Sequence, residues 1–406
     1  MILKLAIKNI LHKPLNFLLG WILLTVSVGT ISLLLLVQKQ IEDQFTNNIK
    51  GVDMVLGAKG SPLQLILSAV YHIDAPTGNI KYEEARKWMQ HPFVEKAIPL
   101  AYGDSYKGYA VLGTTSDYLQ KYNATIKQGD LYNKDFEVVV GNDLAQLLQL
   151  KIGDSFFGTH GDKEGGEQHK ENAYHVTGIL NQTGSVIDKL IICNIESVWK
   201  MHKHHDEHNS NGNIKKDNDE EHEEGKELTA VLLKFRNPMA QIQFPRLINT
   251  NTNMMAAVPA IEINRLFTLL GVGIDTLEKM AWGIMILSAL SVFITLFSAL
   301  KDRKYELALM RTMGAGRFKM MLLVLIESLS LCITGFFCGI VLSRTALYFL
   351  SKSAESNYHF SLEKFGLQWP QEAYLLLITV LVGIVSALIP AIKAYYLNIS
   401  KTLANG

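Results

Sequence analysis

The sequence predicts an α-helical membrane protein with four transmembrane helices and a large mixed α/β extracytoplasmic domain between the first and second helices. Three observations support this prediction: four long apolar segments, a long polar segment after the first of them, and basic residues beside the apolar segments. The formal net charge of the 406-residue chain is only +1, which argues against nucleic acid as its main partner. The composition therefore fits a membrane protein better than a nucleic-acid-binding protein.

Each of the four apolar segments is long enough to cross a bilayer as a helix. The first is longer than the core of a secretory signal and lacks a small-residue cleavage site, so we expect it to remain as a membrane helix. Helices are the expected form because backbone groups in lipid must be satisfied within the segment itself. The predicted helices TM1, TM2, TM3 and TM4 are residues 15–37, 281–300, 320–346 and 372–393.

Lysine and arginine residues in the short flanking segments predict the orientation of these helices. They are present in the N-terminal segment 1–14, fill the TM2–TM3 connection at 301–319, and occur in the tail 394–406. Short basic segments of this kind remain in the cytoplasm. Both termini are therefore expected inside, with the domain at 38–280 and the loop at 347–371 outside.

The segment 38–280 has the pattern of a mixed α/β domain. Residues 38–60 and 260–280 flank the domain, and the helical extensions Gln38–Ile49 and Ile261–Met280 within them are expected to form a stalk. A short helix is expected at Tyr82–Gln90. The apolar stretch Ser61–Asn79 is too short to cross a membrane, so it either packs in the domain core or forms an exposed patch. The candidate strands are Gly51–Gly57, Tyr109–Leu112, Glu137–Val140, Tyr174–Ile179, Lys189–Ile192 and Thr229–Lys234.

A histidine-rich and acid-rich insertion interrupts this domain at residues 202–227. Its low apolar content predicts a disordered loop between two strands. Neutral imidazole suits zinc, copper or nickel, so we expect weak capture of a divalent cation, with zinc as the first candidate. The alternative is a hydrophilic loop with incidental histidines, and no tightly bound cofactor is expected. The candidate metal ligands are His202, His204, His205, His208 and His222.

Two features of TM3 interrupt its apolar sequence. The motif Gly335-x-x-x-Gly339 would allow another helix to approach closely, although the same motif is common by chance in apolar segments. Glu327 is an acid near a membrane-spanning core and is therefore a functional candidate. The alternative, which we favour, is that its carboxylate reaches water or Lys319 near the cytoplasmic end of the helix.

The TM2–TM3 connection combines dense charge with an apolar helical face. If Lys301–Met313 forms a helix, three apolar side chains recur at a spacing of three and share one face. Gly314 is expected to end this helix, as glycine often does just after a last helical residue. Such a helix suits docking into a groove of a soluble partner, while the alternative is a solvated loop that only obeys the charge rule. The apolar residues are Leu307, Met310 and Met313.

The same connection resembles the cytoplasmic loop of the permease family that includes the MacB efflux pump, the FtsX cell-division protein and the Lol lipoprotein exporters. The resemblance lies in the run Arg303-x-x-Glu306-x-Ala308-x-Met310-Arg311-x-x-Gly314-Ala315. The last helix of that family, which leads into a basic tail, is similar to Leu388-Ile-Pro390-Ala391-x-x-Ala394. The order of one helix, a large outer domain and three helices matches the family along the whole chain.

The resemblance implies a non-catalytic permease subunit of an ATP-driven, mechanotransmission-type (type VII) ABC system in the bacterial inner membrane. The outer domain would be a MacB-like periplasmic core. Two copies of a separate cytoplasmic ATPase subunit would contact a homodimer of this chain through coupling helices. ATP would be bound by that other polypeptide, because Gly57-Ala-Lys-Gly-Ser61 lacks the spacing of a phosphate-binding loop. The expected ATPase-coupling residues are Arg303, Glu306, Leu307, Met310, Arg311 and Gly314.

The substrate is left open among three hypotheses. The histidine-rich loop favours divalent metal handling with a periplasmic metal-binding partner. The alternative within the family is export or extraction of a lipoprotein, lipid or peptide, with membrane lipids or a lipoprotein as partners. A membrane-anchored metal sensor or scaffold without transport is the third hypothesis. Zinc binding that depends on residues 202–227 separates the first two, and stimulation of an ATPase subunit separates them from the third.

Overall fold

The computed structural model of the chain describes residues 6, 14–73, 75–159, 172–201, 225–358, 366 and 369–398. These residues form two compact units. Residues 43–267 make up the middle domain, and the residues before 43 and after 267 make up the helical unit. Each unit has its own buried apolar clusters.

Four helices in the described part of the chain are long and apolar enough to cross a membrane, as the sequence predicts. Each runs past its predicted apolar segment, because flanking polar residues continue the helix and hydropathy marks only the part that fits a bilayer. TM3 thereby includes part of the predicted loop at 347–371. The helices are TM1, Pro14–Ile49; TM2, Pro259–Asp302; TM3, Arg317–Tyr358; and TM4, Trp369–Tyr395.

Small residues bring the helices of the helical unit close together. A Cβ atom added at Gly339 would lie 2.8 Å from Val28 in TM1, and one added at Gly335 would collide with Leu24 of the same helix. Both glycines of the TM3 motif therefore face TM1 of this chain, where a larger residue would not fit. Hydroxyl groups also donate to backbone carbonyls of neighbouring helices: Ser27 to Ala281 at 3.2 Å, Ser328 to Gly383 at 2.7 Å, and Ser386 to Ala289 at 2.9 Å.

The strands of the middle domain form one large mixed sheet and one small sheet. They are β1, Met54–Ala58; β2, Ile80–Lys81; β3, Val94–Tyr106; β4, Tyr109–Thr114; β5, Ile126–Gly129; β6, Glu137–Val140; β7, Ser155–Phe156; β8, Tyr174–Leu180; β9, Ile191–Asn194; β10, Glu227–Leu228; β11, Ala230–Phe235; and β12, Met254–Ala257. The large sheet has the order β12-β1-β11-β3-β4-β9-β6-β8-β5, with β7 paired to β8. The pairs β4–β9 and β6–β8 are parallel, and β10 pairs with β2 in the small sheet.

Helices cover both faces of the large sheet. They are α1, Pro62–Ala69; α2, Tyr82–Met89; α3, Ser116–Lys121; α4, Asn142–Leu147; α5, residues 195–201; and α6, Pro238–Asn251. Alternate residues of a strand point to opposite faces, so Val231 and Leu233 of β11 join one apolar core while Leu232 joins the other. Phe244 of α6 packs into the first core and Ile66 of α1 into the second. The predicted mixed α/β domain is thus confirmed.

Most local predictions for this domain agree with the structure. All six candidate strands overlap an observed strand, and the helix predicted at Tyr82–Gln90 is α2. The apolar stretch after Ser61 forms α1, whose Leu65 and Ile66 are buried, so its apolar character reflects core packing. Sequence analysis missed β3, the thirteen-residue strand Val94–Tyr106. Its alternation is hidden by charged residues at its start and by Pro99, a residue type that is rare within strands.

A half-buried histidine, His72, contacts tyrosines of β3 and α3. The hydroxyl of Tyr118 donates to Nε2 of His72 at 2.7 Å, and Nδ1 of His72 contacts the hydroxyl of Tyr102. Because the Tyr102 hydroxyl itself donates to the carbonyl oxygen of Ser68 at 2.6 Å, it accepts from His72. A neutral imidazole satisfies both contacts, with one donor and one acceptor nitrogen. Burial, with the charge of Lys121 as a second cause, lowers the pKa of His72 to about 3.

This low pKa makes the middle domain sensitive to mild acid. Between pH 6.5 and 3 the unfolded state binds a proton at His72 that the folded state does not, so the free energy of unfolding falls as the pH falls. We expect a loss of about 2 kcal/mol between pH 7.5 and pH 5. The measurement is the urea dependence of thiol labelling at the buried Cys193, after incubation at each pH and a labelling pulse at one pH.

Substitution of the histidine separates this effect from other titrations. His72→Asn should remove most of the stability change between pH 7.5 and pH 5. His175→Asn, at an exposed histidine of β8, should leave it in place. An unchanged pH dependence in His72→Asn would contradict the assignment.

Candidate functional site

The TM2–TM3 connection contains one helix in the described residues, Lys304–Thr312, which we call the connection helix. Its C-terminal end is closed by two backbone hydrogen bonds. The Gly314 N–H donates to the carbonyl of Arg311 at 3.2 Å, and the Ala315 N–H donates to that of Met310 at 3.0 Å. This pair of bonds is the Schellman motif, which needs a left-handed residue at its turn. Gly314, at a φ of 97°, supplies that residue and ends the helix as the sequence predicts.

One face of the connection helix is packed against the ends of three membrane helices. Leu307 and Ala308 are buried, and Met310 is half-buried beside them. Their neighbours in the same apolar cluster are Leu300 of TM2, Met320, Leu323 and Val324 of TM3, and Ala391 and Ala394 of TM4. The predicted apolar face is wrong at Met313, which is 81% exposed. The helix ends at Thr312, so Met313 is its C-cap residue, and Ala308 completes the buried face instead.

Two arginines fix the connection helix to the membrane helices. Nη1 of Arg303 lies 3.4 Å from Oε1 of Glu327 in TM3, and the two side chains are only 11% and 6% exposed. Arg311 donates from Nη1 to the carbonyl oxygen of Leu397, just after TM4. The interpretation that Glu327 reaches water or Lys319 is therefore wrong. Its carboxylate is buried, and a buried acid requires a close cation such as Arg303.

The opposite face of the connection helix carries an exposed apolar stripe. Tyr305, Leu309 and Met313 follow one another at intervals of four residues, and their exposed fractions are 52%, 48% and 81%. Residues four apart lie on one side of a helix. We call these three residues the exposed stripe, and Glu306 is exposed beside it. Aromatic residues and methionine in such a position are typical of the centres of protein interfaces.

The expected coupling residues thus divide into two groups. Four of them are buried or half-buried and contact the chain's own membrane helices or the residues just after TM4: Leu307, Arg303, Met310 and Arg311. The other two, Glu306 and Gly314, are exposed. Sequence analysis missed Tyr305 and Leu309. Their interval of four was a signal that could have identified them, but the competing interval of three from Leu307 to Met313 obscured it.

The candidate metal ligands, from His202 to His222, lie outside the described residues. Within the described ranges, no group of three or more histidine, cysteine, aspartate or glutamate side chains could hold a metal ion.

Two models of known protein families match this chain. Residues 279–400, which include the connection helix, match the model of the FtsX-like permease C-terminal region. Residues 21–234 match the model of the MacB-like periplasmic core domain, which covers more than half of the chain. The chain belongs to the MacB/FtsX family of ABC transporter permeases. The resemblance drawn from its sequence is therefore confirmed.

Two solved structures are similar to part of this permease. The periplasmic region of MacB from Actinobacillus actinomycetemcomitans is 11% identical, covers 55% of this chain and 97% of its own, and gives a TM-score of 0.35. The extracellular domain of the noncanonic ABC-type transporter YknZ from Gram-positive bacteria is 12% identical, covers 50% of this chain and 98% of its own, and gives a TM-score of 0.31. No curated protein sequence matches the chain.

Membership in the family indicates the general role and the location of this permease. MacB/FtsX-type permeases are typically non-catalytic membrane subunits that work with a cytoplasmic ABC ATPase. The family and the four apolar helices support an inner-membrane location for this permease.

Proposed function

We propose that this permease couples ATP hydrolysis by a separate cytoplasmic ATPase subunit to a conformational change of its middle domain outside the membrane. The connection helix is the proposed contact with the ATPase. The observation that carries the proposal is its two-sided character, since one face is packed on TM2, TM3 and TM4 while the exposed stripe faces away from them. A helix of this kind can bind a groove in a soluble partner through residues spaced four apart.

The two groups of coupling residues have different proposed roles. Tyr305, Leu309 and Met313 of the exposed stripe enter the ATPase groove, and Glu306 contributes a charge at its edge. The apolar anchors supply most of the binding energy, because a few centrally placed large side chains dominate typical interfaces. Four residues act as positioning residues that hold the connection helix on the membrane helices: Leu307, Met310, Arg303 and Arg311. Gly314 ends the connection helix.

The remaining parts of the proposal concern topology and assembly. Basic residues in the connection favour its cytoplasmic location, and four crossings then place both termini inside and the middle domain outside. Two copies of the chain with two ATPase subunits form the proposed complex. In this arrangement TM1 and TM2, which continue into the middle domain, transmit motion across the membrane, so the substrate need not pass between the helices.

Disruption of the exposed stripe should release the ATPase. Leu309→Asp places a charge at the centre of the stripe, and we expect at least a tenfold loss of the ABC ATPase subunit that copurifies with the tagged permease. A buried apolar anchor at an interface accounts for about 2 kcal/mol or more, which corresponds to more than tenfold in affinity.

A matched substitution controls for general damage. Lys304→Asp introduces the same charge at an exposed position about 140° around the same helix. It should keep copurification close to the wild-type level. Wild-type recovery of the ATPase with Leu309→Asp would contradict the proposed contact.

Divalent metal handling is the second proposal, and it rests on the histidine-rich sequence alone. The segment combines several acids with five candidate ligands and so suits zinc capture: His202, His204, His205, His208 and His222. Export or extraction of a lipoprotein, lipid or peptide needs no such segment. A metal sensor or scaffold without transport would bind zinc but would not stimulate an ATPase.

Zinc titration of the full-length permease tests the metal proposal. Replacement of residues 202–224 by a glycine-serine linker of equal length should weaken zinc binding at least tenfold, since each lost imidazole ligand removes part of the coordination shell. Replacement of residues 160–169 by the same kind of linker is the control for loop length and for the two histidines found there. Equal zinc affinity of the 202–224 variant and the wild type would remove the metal proposal.

A further inference from the structure

A pocket of about 200 Å³ opens on the middle domain beside β3, β11 and α3. Lys96 of β3 and Lys234 of β11 are paired across the two strands, as are their neighbours Ile98 and Leu232. Since residues two apart share a face of a strand, all four side chains lie on the same face of the sheet. Lys50 and Lys121 complete the wall, so the pocket has lysines around a floor made by two buried aliphatic side chains.

Among the described residues, two of these four lysines are paired with acids. Nζ of Lys96 lies 2.8 Å from Oδ1 of Asp117, and Nζ of Lys234 lies 2.7 Å from Oε1 of Glu95. The other two donate to uncharged oxygens in the described part of the chain. Lys50 donates to the Asn47 side chain at 2.8 Å, and Lys121 donates to the Asn48 backbone carbonyl at 2.7 Å. Two of the four lysines therefore have no carboxylate to balance their charge.

Of the two lysines that have no carboxylate partner in the described residues, Lys121 is the more buried. Its side chain is half-buried, with the ammonium group over the ring of Tyr122 at 3.7 Å. Burial lowers the pKa of Lys121 to about 7, because its ammonium loses hydration and gains no carboxylate in exchange. An anion in the adjacent pocket would supply the missing opposite charge.

We propose that this pocket binds a phosphate group. Four ammonium groups around one cavity exceed what the two oxygens of a carboxylate can accept, whereas a phosphate offers more acceptor oxygens and more charge. The amide of Gln120 also lines the pocket. The aliphatic floor leaves room for a small apolar substituent, so a phosphate ester fits as well as inorganic phosphate. The site goes beyond the proposed coupling to an ATPase and does not depend on it.

The position of Lys121 links this site to TM1. The carbonyl that it contacts belongs to Asn48, in the last turn of the TM1 helix, where backbone carbonyls have no partner within the helix. Lysine at a helix C-terminus stabilises it through that contact and through the helix dipole. A bound phosphate competes with Asn48 for the same ammonium group. Occupation of the pocket therefore changes the capping of the helix that leads into the membrane.

Titration calorimetry of the full-length permease in a maltoside detergent tests the site. The two probes are inorganic phosphate and dihexanoyl-phosphatidylglycerol below its critical micelle concentration. Lys50→Gln removes a charge from an exposed wall residue whose ammonium group donates to the neighbouring Asn47 side chain, so folding should be unaffected. We expect it to weaken binding about tenfold, as for the loss of one charge-assisted hydrogen bond.

The matched control is Lys81→Gln, which removes the same charge from an exposed lysine outside the pocket. It should leave the affinity unchanged. If Lys50→Gln but not Lys81→Gln weakens the binding of inorganic phosphate, the site is supported and free phosphate is sufficient as its ligand. If the phospholipid alone binds with that dependence, the site is supported and its ligand is a lipid headgroup. Absence of binding for both probes, or equal weakening by Lys50→Gln and Lys81→Gln, would overturn the proposal.

Discussion

The buried contact between the connection helix and the ends of TM2, TM3 and TM4 is the interaction on which the account of this permease depends. The ion pair of Arg303 and Glu327 lies within it, and breaking a buried pair from one side leaves an uncompensated charge at a cost of about 3–5 kcal/mol. Burial of Leu307 adds about 2 kcal/mol. The connection helix is therefore held as a part of the helical unit.

A comparable attachment exists at the other end of TM1 and TM2. The Tyr71 hydroxyl of the middle domain donates to the Phe45 carbonyl in the last turns of TM1 at 2.8 Å. The ring of Phe45 also contacts that of Phe267 in TM2, with centroids 5.7 Å apart. Together with the bond from Lys121 to Asn48, these contacts join both helix ends to the core beneath α1.

Sequence patterns predicted the parts of the structure that depend on composition over many residues. Long apolar runs indicated the four membrane helices, and short apolar runs between polar segments indicated strands such as β6 and β11. Predictions failed where a distant residue decides the outcome. The partner of Glu327 is Arg303, 24 residues earlier in the chain, whereas Lys319 was closer in sequence and lay two helical turns away. The lysines of the pocket come from four separate segments, which only the folded sheet brings together.

The candidate site likewise contains one feature that the sequence predicted correctly and one that it did not. The role of Gly314 in ending the connection helix followed from local geometry, because the left-handed residue after a helix is usually glycine. The choice of the buried face required the exact start and end of the connection helix, and a boundary different from the predicted one moved Met313 from the packed side to the exposed stripe. Tertiary packing, rather than periodicity, thus decided which residues of the connection are available to a partner.

The central claim is that the exposed stripe and the middle domain lie on opposite sides of the membrane. Labelling of intact cells with a membrane-impermeant thiol reagent tests it most directly, using Met313→Cys and Lys151→Cys, each at an exposed position, with Cys338→Ala in both to remove the exposed native thiol. We expect the cysteine at 151 to react in cells whose inner membrane is intact and the cysteine at 313 to react only after that membrane is permeabilised. Reaction of both cysteines before permeabilisation would contradict the account.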